Sequence, residues 1–131
     1  MANSSTSDGL RSFSAHVIVD KEINYTIVGG RFSPSINIDL SSQVVSLSVA
    51  NTDRFRLSLP AGSFRKTGLD GYVASDTSNS HKTDILLQLF SCGDWAYSAG
   101  IEGFGPGSTP VTISLTIGSQ AGSATVEVFA F

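Results

Sequence analysis

Apolar and polar residues alternate with a period of two along most of the chain, and helical spacing is almost nowhere present. Successive side chains of a strand point to opposite faces, so this alternation predicts strands with one buried and one solvated side. Val45-Ser-Leu-Ser-Val49, Phe55-Arg-Leu-Ser-Leu59 and Val111-Thr-Ile-Ser-Leu-Thr-Ile117 alternate without a fault. Ser35-Ile-Asn-Ile-Asp-Leu40 has the same form, with Ile36, Ile38 and Leu40 on one face. The β-branched runs Phe13–Val19 and Ile23–Val28 add two strands, the second ending at the breaker pair Gly29-Gly30. Ile85-Leu-Leu-Gln-Leu-Phe90 reads as a strand covered on both faces, and Trp95–Ala99 returns after the turn Ser91-Cys-Gly-Asp94. Ala124–Phe129 supplies another strand. Between them, Ala50–Arg54 fits a hairpin loop, Gly118–Gly122 a turn, and Asp70–Asp84 a long polar loop. Pro60 has no N–H to donate and ends the ladder that precedes it.

The two halves of this pattern overlay at an offset of about 70 residues. Val45–Val49 falls on Ile113–Ile117, and Phe55–Leu59 falls on Ala124–Val128 with one shift. Tyr25, followed by a glycine-bearing link to Phe32, falls on Tyr97 and Phe104 when one residue slips. The order of the matches predicts an internal duplication, with half-repeats at roughly 11–68 and 80–131 inside a single domain over 11–131. Each half has one apolar face and cannot bury it alone, so the halves must pack together. The expected fold is all-β: an internally duplicated antiparallel β-sandwich or closed β-barrel of about eight to ten strands with a pseudo-twofold axis.

Composition narrows the partners. Charged residues are 15% of the chain against roughly 25% in an average domain, and Ser and Thr take their place on the polar faces. A net charge of −3 with no Lys/Arg run argues against nucleic acid. Arg54, Arg56, Arg65 and Lys66 are the one basic concentration, and solvated strand faces explain them more simply than an anion site does. No stretch is long and apolar enough for a membrane-spanning helix. Residues 1–10 lack the basic and apolar regions of a signal peptide and read as a flexible leader, on a chain whose export signal has been removed. Cys92 is the single cysteine, so neither an intramolecular disulfide nor a thiolate metal cluster is expected.

Phe55-Arg-Leu-Ser-Leu-Pro-Ala-Gly-Ser-Phe-Arg-Lys66, followed by Thr109-Pro-Val-Thr-Ile-Ser-Leu-Thr-Ile-Gly118, resembles a family of uncharacterised exported bacterial all-β proteins. Those proteins carry a Pro-Ala-Gly-Ser-Phe-x-Lys segment and a hairpin of the form Asn-Pro-Val-Thr-Val-x-Leu-x-Ile-Gly-Asp-x-x-Gly. The resemblance covers roughly residues 30–131 and departs at Thr109 and Ser119, where the family has Asn and Asp. It implies export, to an extracellular or periplasmic location, and an all-β build. It implies no active site.

Trp95 and Tyr97 are alternate residues and share a strand face, with Tyr72 in the neighbouring polar loop and Phe104 beyond. Such rings can stack on the C–H face of a sugar, and they equally suit a core, since aromatics carry the largest apolar area. Asp70, Asp76, Asn79 and Asp84 could supply hard oxygen ligands, but their spacing is not that of a calcium loop, and no metal or cofactor is expected. No nucleophile elbow or zinc-binding His-Glu pair occurs, and His16 and His81 are the only imidazoles. Cys92 has no His/Asn partner in sequence, and nothing places Glu22, Asp94 and Glu102 together as acid and base. Three readings follow. The first is an exported non-catalytic module, structural or ligand-binding, whose partner is a carbohydrate or other neutral ligand met by Trp95, Tyr97 and Tyr72. The second is a small barrel holding an apolar molecule, as a carrier or cyclase-like enzyme. The third is a subunit that self-assembles through strand edges.

Overall fold

The computed structural model describes residues 9–50, 54–77, 81–105 and 110–130, and every regular element among them is a β-strand. In chain order these are β1 (Leu10–Arg11), β2 (His16–Asp20), β3 (Tyr25–Pro34), β4 (Val45–Ala50), β5 (Arg54–Leu59) and β6 (Arg65–Thr67). There follow β7 (Gly71–Asp76), β8 (Thr83–Leu89), β9 (Trp95–Glu102), β10 (Val111–Ile117), β11 (Gln120–Val126) and β12 (Val128–Ala130). Eight strands form one sheet in the order β12-β2-β3-β9-β8-β7-β6, with β1 paired to the far end of β3. The other four form a sheet in the order β11-β10-β4-β5. Pairing is antiparallel throughout except for β12 on β2. The two sheets face each other as a sandwich and do not close into a barrel.

Each sheet contributes its alternate residues to one core. Leu47, Val49, Leu57, Leu59, Ile113, Leu115 and Ile117 line the inner face of the small sheet, all of them buried as the alternation predicts. Val17, Val28, Phe32, Leu87 and Ile101 meet them from the large sheet. Burying each such side chain contributes about 1.5–3 kcal/mol. Val126 and Val128, which the overlay sets against the buried Leu57 and Leu59, are only half-buried. They sit on β11 and β12, which end their sheets among the described residues and have a hydrogen-bonded strand on one flank only.

Hairpin β4–β5 lies beside hairpin β10–β11 with their first strands antiparallel, and hairpins β2–β3 and β8–β9 meet through β3 and β9 in the large sheet. Leu47 stands opposite Leu115, so a half-turn about that pair carries Val45 onto Ile113 and Val49 onto Ile117. The overlay of Tyr25 on Tyr97 does not keep its face: Tyr97 points into the core, whereas Tyr25 lies outside.

Four local expectations are corrected. Ser35–Leu40 alternates but is not a strand. The side chain of Gln120 takes the Ser35 and Ile36 N–H groups at 2.7 and 3.2 Å and donates to the Ile36 carbonyl at 3.0 Å, in place of a ladder partner. Gly29-Gly30 does not break β3. A Cβ at Gly30 would stand 1.9 Å from the Ser14 carbonyl oxygen, so the missing side chain lets the chain between β1 and β2 close over the strand. Ile85–Phe90 is covered on one face only, with Leu86 39% exposed on the other. The long polar loop is largely the hairpin of β7 and β8, in which Asp76 stands opposite Thr83. Asn79 and the loop over 51–53 lie outside the described residues.

Candidate functional site

Trp95 and Tyr97 do share a face, but it is the inner one, and Trp95 is only 6% exposed. The open stacking surface expected there is not formed. Tyr97 stacks on Phe13 with ring centroids 5.3 Å apart and packs on Phe32. Its hydroxyl donates to the Ser14 carbonyl oxygen at 2.8 Å, and Ser14 donates its N–H to the Arg31 carbonyl at 3.0 Å. Tyr97 is thus a pin that holds the link between β1 and β2 against the inner face of the large sheet. Burial pushes its phenol well above the ordinary value, because the charged phenolate would lose its water.

Tyr72 lies in β7 rather than in a loop, on the same inner face as Trp95, and the two rings meet at 5.7 Å between centroids. The structure therefore joins two of the three candidate rings and sets Tyr97 apart. The Tyr72–Trp95 pair walls a cavity of about 440 Å³ where the links β3–β4 and β5–β6 cross between the sheets. Ile38, Leu40, Phe64 and Leu89 give it further apolar surface, and Asp39, Ser41 and Lys66 supply its polar groups. The Ser41 hydroxyl, then the Ser42 hydroxyl, then the Ser41 N–H hold the Asp39 carboxyl below the usual carboxylate range. Apolar walls with a few placed polar groups are what a small-molecule site requires. Phe64 and Lys66 follow Pro60-Ala-Gly62, the segment of the family resemblance, yet nothing in their spacing foretold that a crossing link would bring them to Trp95.

The remaining candidates are dispersed. Asp94 and Glu102 flank opposite ends of β9, about 26 Å apart at ~3.3 Å per residue, so they cannot act on one substrate bond. Asp94 is engaged locally, accepting from the Ser33 hydroxyl at 2.6 Å and lying 3.8 Å from Arg31. Cys92 is exposed in the β8–β9 turn, while His81 contacts the Glu102 carbonyl at the far end of β9. No group of three or more His, Cys, Asp or Glu among the described residues could hold a metal ion. Arg56 lies on the outer face of the small sheet, and Arg65 and Lys66 open onto different cavities, so these three do not form a common patch. No helix of the described residues is long and apolar enough to cross a membrane. Comparison with family models, with curated proteins and with solved structures gives no match.

Proposed function

We propose that the chain is a non-catalytic β-sandwich module that binds a neutral ligand with one apolar face and several hydroxyl groups, a sugar being the class that fits. The observation that carries the reading is the Tyr72–Trp95 pair, which opens on a cavity with Lys66 and Asp39 among its lining groups. Ring contact would supply affinity, and the polar groups would fix orientation. The apolar-carrier reading needs a barrel interior, and the two sheets instead fill the space between them with Phe32, Leu47, Leu87, Ile101 and Leu115. Assembly through strand edges is a second reading, favoured by Phe129, which is 70% exposed on the outermost strand β12.

Two further parts belong to the proposal. Export rests on the resemblance of residues 55–66 and 109–118 to exported bacterial proteins. Internal duplication is supported by the matching hairpins, β2–β3 with β8–β9 and β4–β5 with β10–β11.

Trp95 is the only tryptophan, so its emission reports on this cavity alone. Titration with monosaccharides and disaccharides should change its intensity, and Tyr72→Ala should weaken binding about tenfold, the equivalent of about 1.4 kcal/mol of ring contact. Emission that stays constant across the panel, or affinity that is the same in Tyr72→Ala, would refute the reading.

A further inference from the structure

The outer face of the large sheet carries a second feature, on the side away from the Tyr72–Trp95 cavity. On that side β9 presents the small residues Ala96, Ser98 and Gly100 before ending at Glu102, so the middle of the sheet is a low strip. Tyr25 and Ile27 of β3 border it on one flank, and Asp84 and Leu86 of β8 on the other. The strip opens into a shallow cavity of about 450 Å³ that reaches Arg65 on β6. A second, of about 530 Å³, adjoins it at Asn24 and Glu102. Tyr25 lines both, and so stands at the middle of the track.

The pose of Tyr25 follows from a glycine. Tyr25 pairs with Glu102, yet its side chain runs toward Gly100, two residues along the neighbouring strand. A Cβ at Gly100 would stand 1.9 Å from the Tyr25 hydroxyl oxygen. A side chain that reaches this far crosses from β3 onto β9, and its ring borders the cavities on both sides. Covering bare backbone at a strand glycine is a structural role by itself. It asks for an apolar ring and makes no use of Asp84 or Arg65.

We propose that this track is a binding site for an extended, neutral polysaccharide chain, with Tyr25 as its central stacking surface. The track is open and shallow, which suits a chain lying across it better than an enclosed molecule. From β3 to β6 there are four strand spacings, or ~19 Å, a length that spans several sugar units. Its charged groups are the Arg65 guanidinium against the carboxylates of Asp84 and Glu102, so a polyanion would meet net repulsion while a neutral chain would not. Asp84 is held in place, its Oδ1 accepting from the Ser75 hydroxyl at 2.6 Å, with Oδ2 left to accept from a ligand hydroxyl. A ring for C–H faces, with a fixed carboxylate and a guanidinium for hydroxyls, matches the two faces of a pyranose.

The test is native electrophoresis through gels containing hydroxyethylcellulose, xyloglucan, galactomannan or laminarin, with alginate and polygalacturonate as anionic controls. At least one neutral polymer should retard the protein. Retardation should fall at least tenfold in Tyr25→Leu, which keeps an apolar residue at that strand position without the ring, and in Asp84→Ala. Gly100→Ala should do the same by displacing the ring, with the fold checked by circular dichroism. No retardation by any neutral polymer, retardation by the anionic polymers alone, or wild-type retardation of a folded Tyr25→Leu overturns the proposal. The two sites fail separately. Retardation lost in Tyr72→Ala and kept in Tyr25→Leu removes the track and leaves the cavity. Trp95 emission unmoved by small sugars, with retardation that depends on Tyr25, removes the cavity and leaves the track.

Discussion

Replacing Gln120 by Leu tests how the chain crosses from one sheet to the other. Gln120 is fully buried at the start of β11, and its amide serves three backbone groups of the β3–β4 link: the Ser35 N–H, the Ile36 N–H and the Ile36 carbonyl. Leucine is close in volume, so the cavity contribution is small and the cost comes from the polar groups left behind. A buried donor or acceptor that loses its partner costs about 1–3 kcal/mol. Ile36 is 50% exposed, so water can reach part of what is lost. The expected destabilisation is therefore about 2–4 kcal/mol, read from urea unfolding with an unchanged m-value. Gln43 is the matched control, since it is only half-buried and its Oε1 accepts the Asp39 N–H at 2.8 Å in a solvent-exposed hydrogen bond. Gln43→Leu should cost less than about 1 kcal/mol, because water replaces the lost partner. Equal costs for the two substitutions, or a Gln120→Leu loss below about 1 kcal/mol, would show that the link does not depend on the buried amide.

Leu115→Ala removes a fully buried side chain at the centre of the small sheet and should cost about 2–5 kcal/mol in urea melts; a loss under about 1 kcal/mol would put that strand the wrong way round. Tyr97 supplies a pH signature: its folded-state pKa is raised, so its contribution is fully present below the unfolded value of about 10 and is lost as pH rises above it, at up to about 1.4 kcal/mol per pH unit. Tyr97→Phe should flatten that alkaline decline while losing the Ser14 hydrogen bond, about 1 kcal/mol, at neutral pH; an alkaline decline unchanged in the variant would assign it to another group.

Alternation alone was sufficient to read the strands and the buried faces of β4, β5 and β10, because a half-buried strand writes its two environments into every second residue. Ser35–Leu40 shows the limit of that argument. Its pattern is as regular as that of β4, but the backbone partners it needs are supplied by a glutamine 85 residues away, as from Ser35 to Gln120. Gly29-Gly30 carries the same lesson: the glycines were legible, whereas the carbonyl of Ser14 that presses on them was not. The aromatic candidates divide on similar grounds. Spacing put Trp95 and Tyr97 on one face, but which face meets water depends on the sheet packed above it, and that sheet comes from β4, β5, β10 and β11. Tyr72 reaches Trp95 because β7 and β9 both flank β8, and Tyr25 reaches over Gly100 because that glycine is its diagonal neighbour across β3 and β9. Composition and periodicity act within a few residues and determine strand, face and charge. The partners of a buried amide, and the rings that line a cavity, are contacts between distant segments, so only the packing of the two sheets decides them.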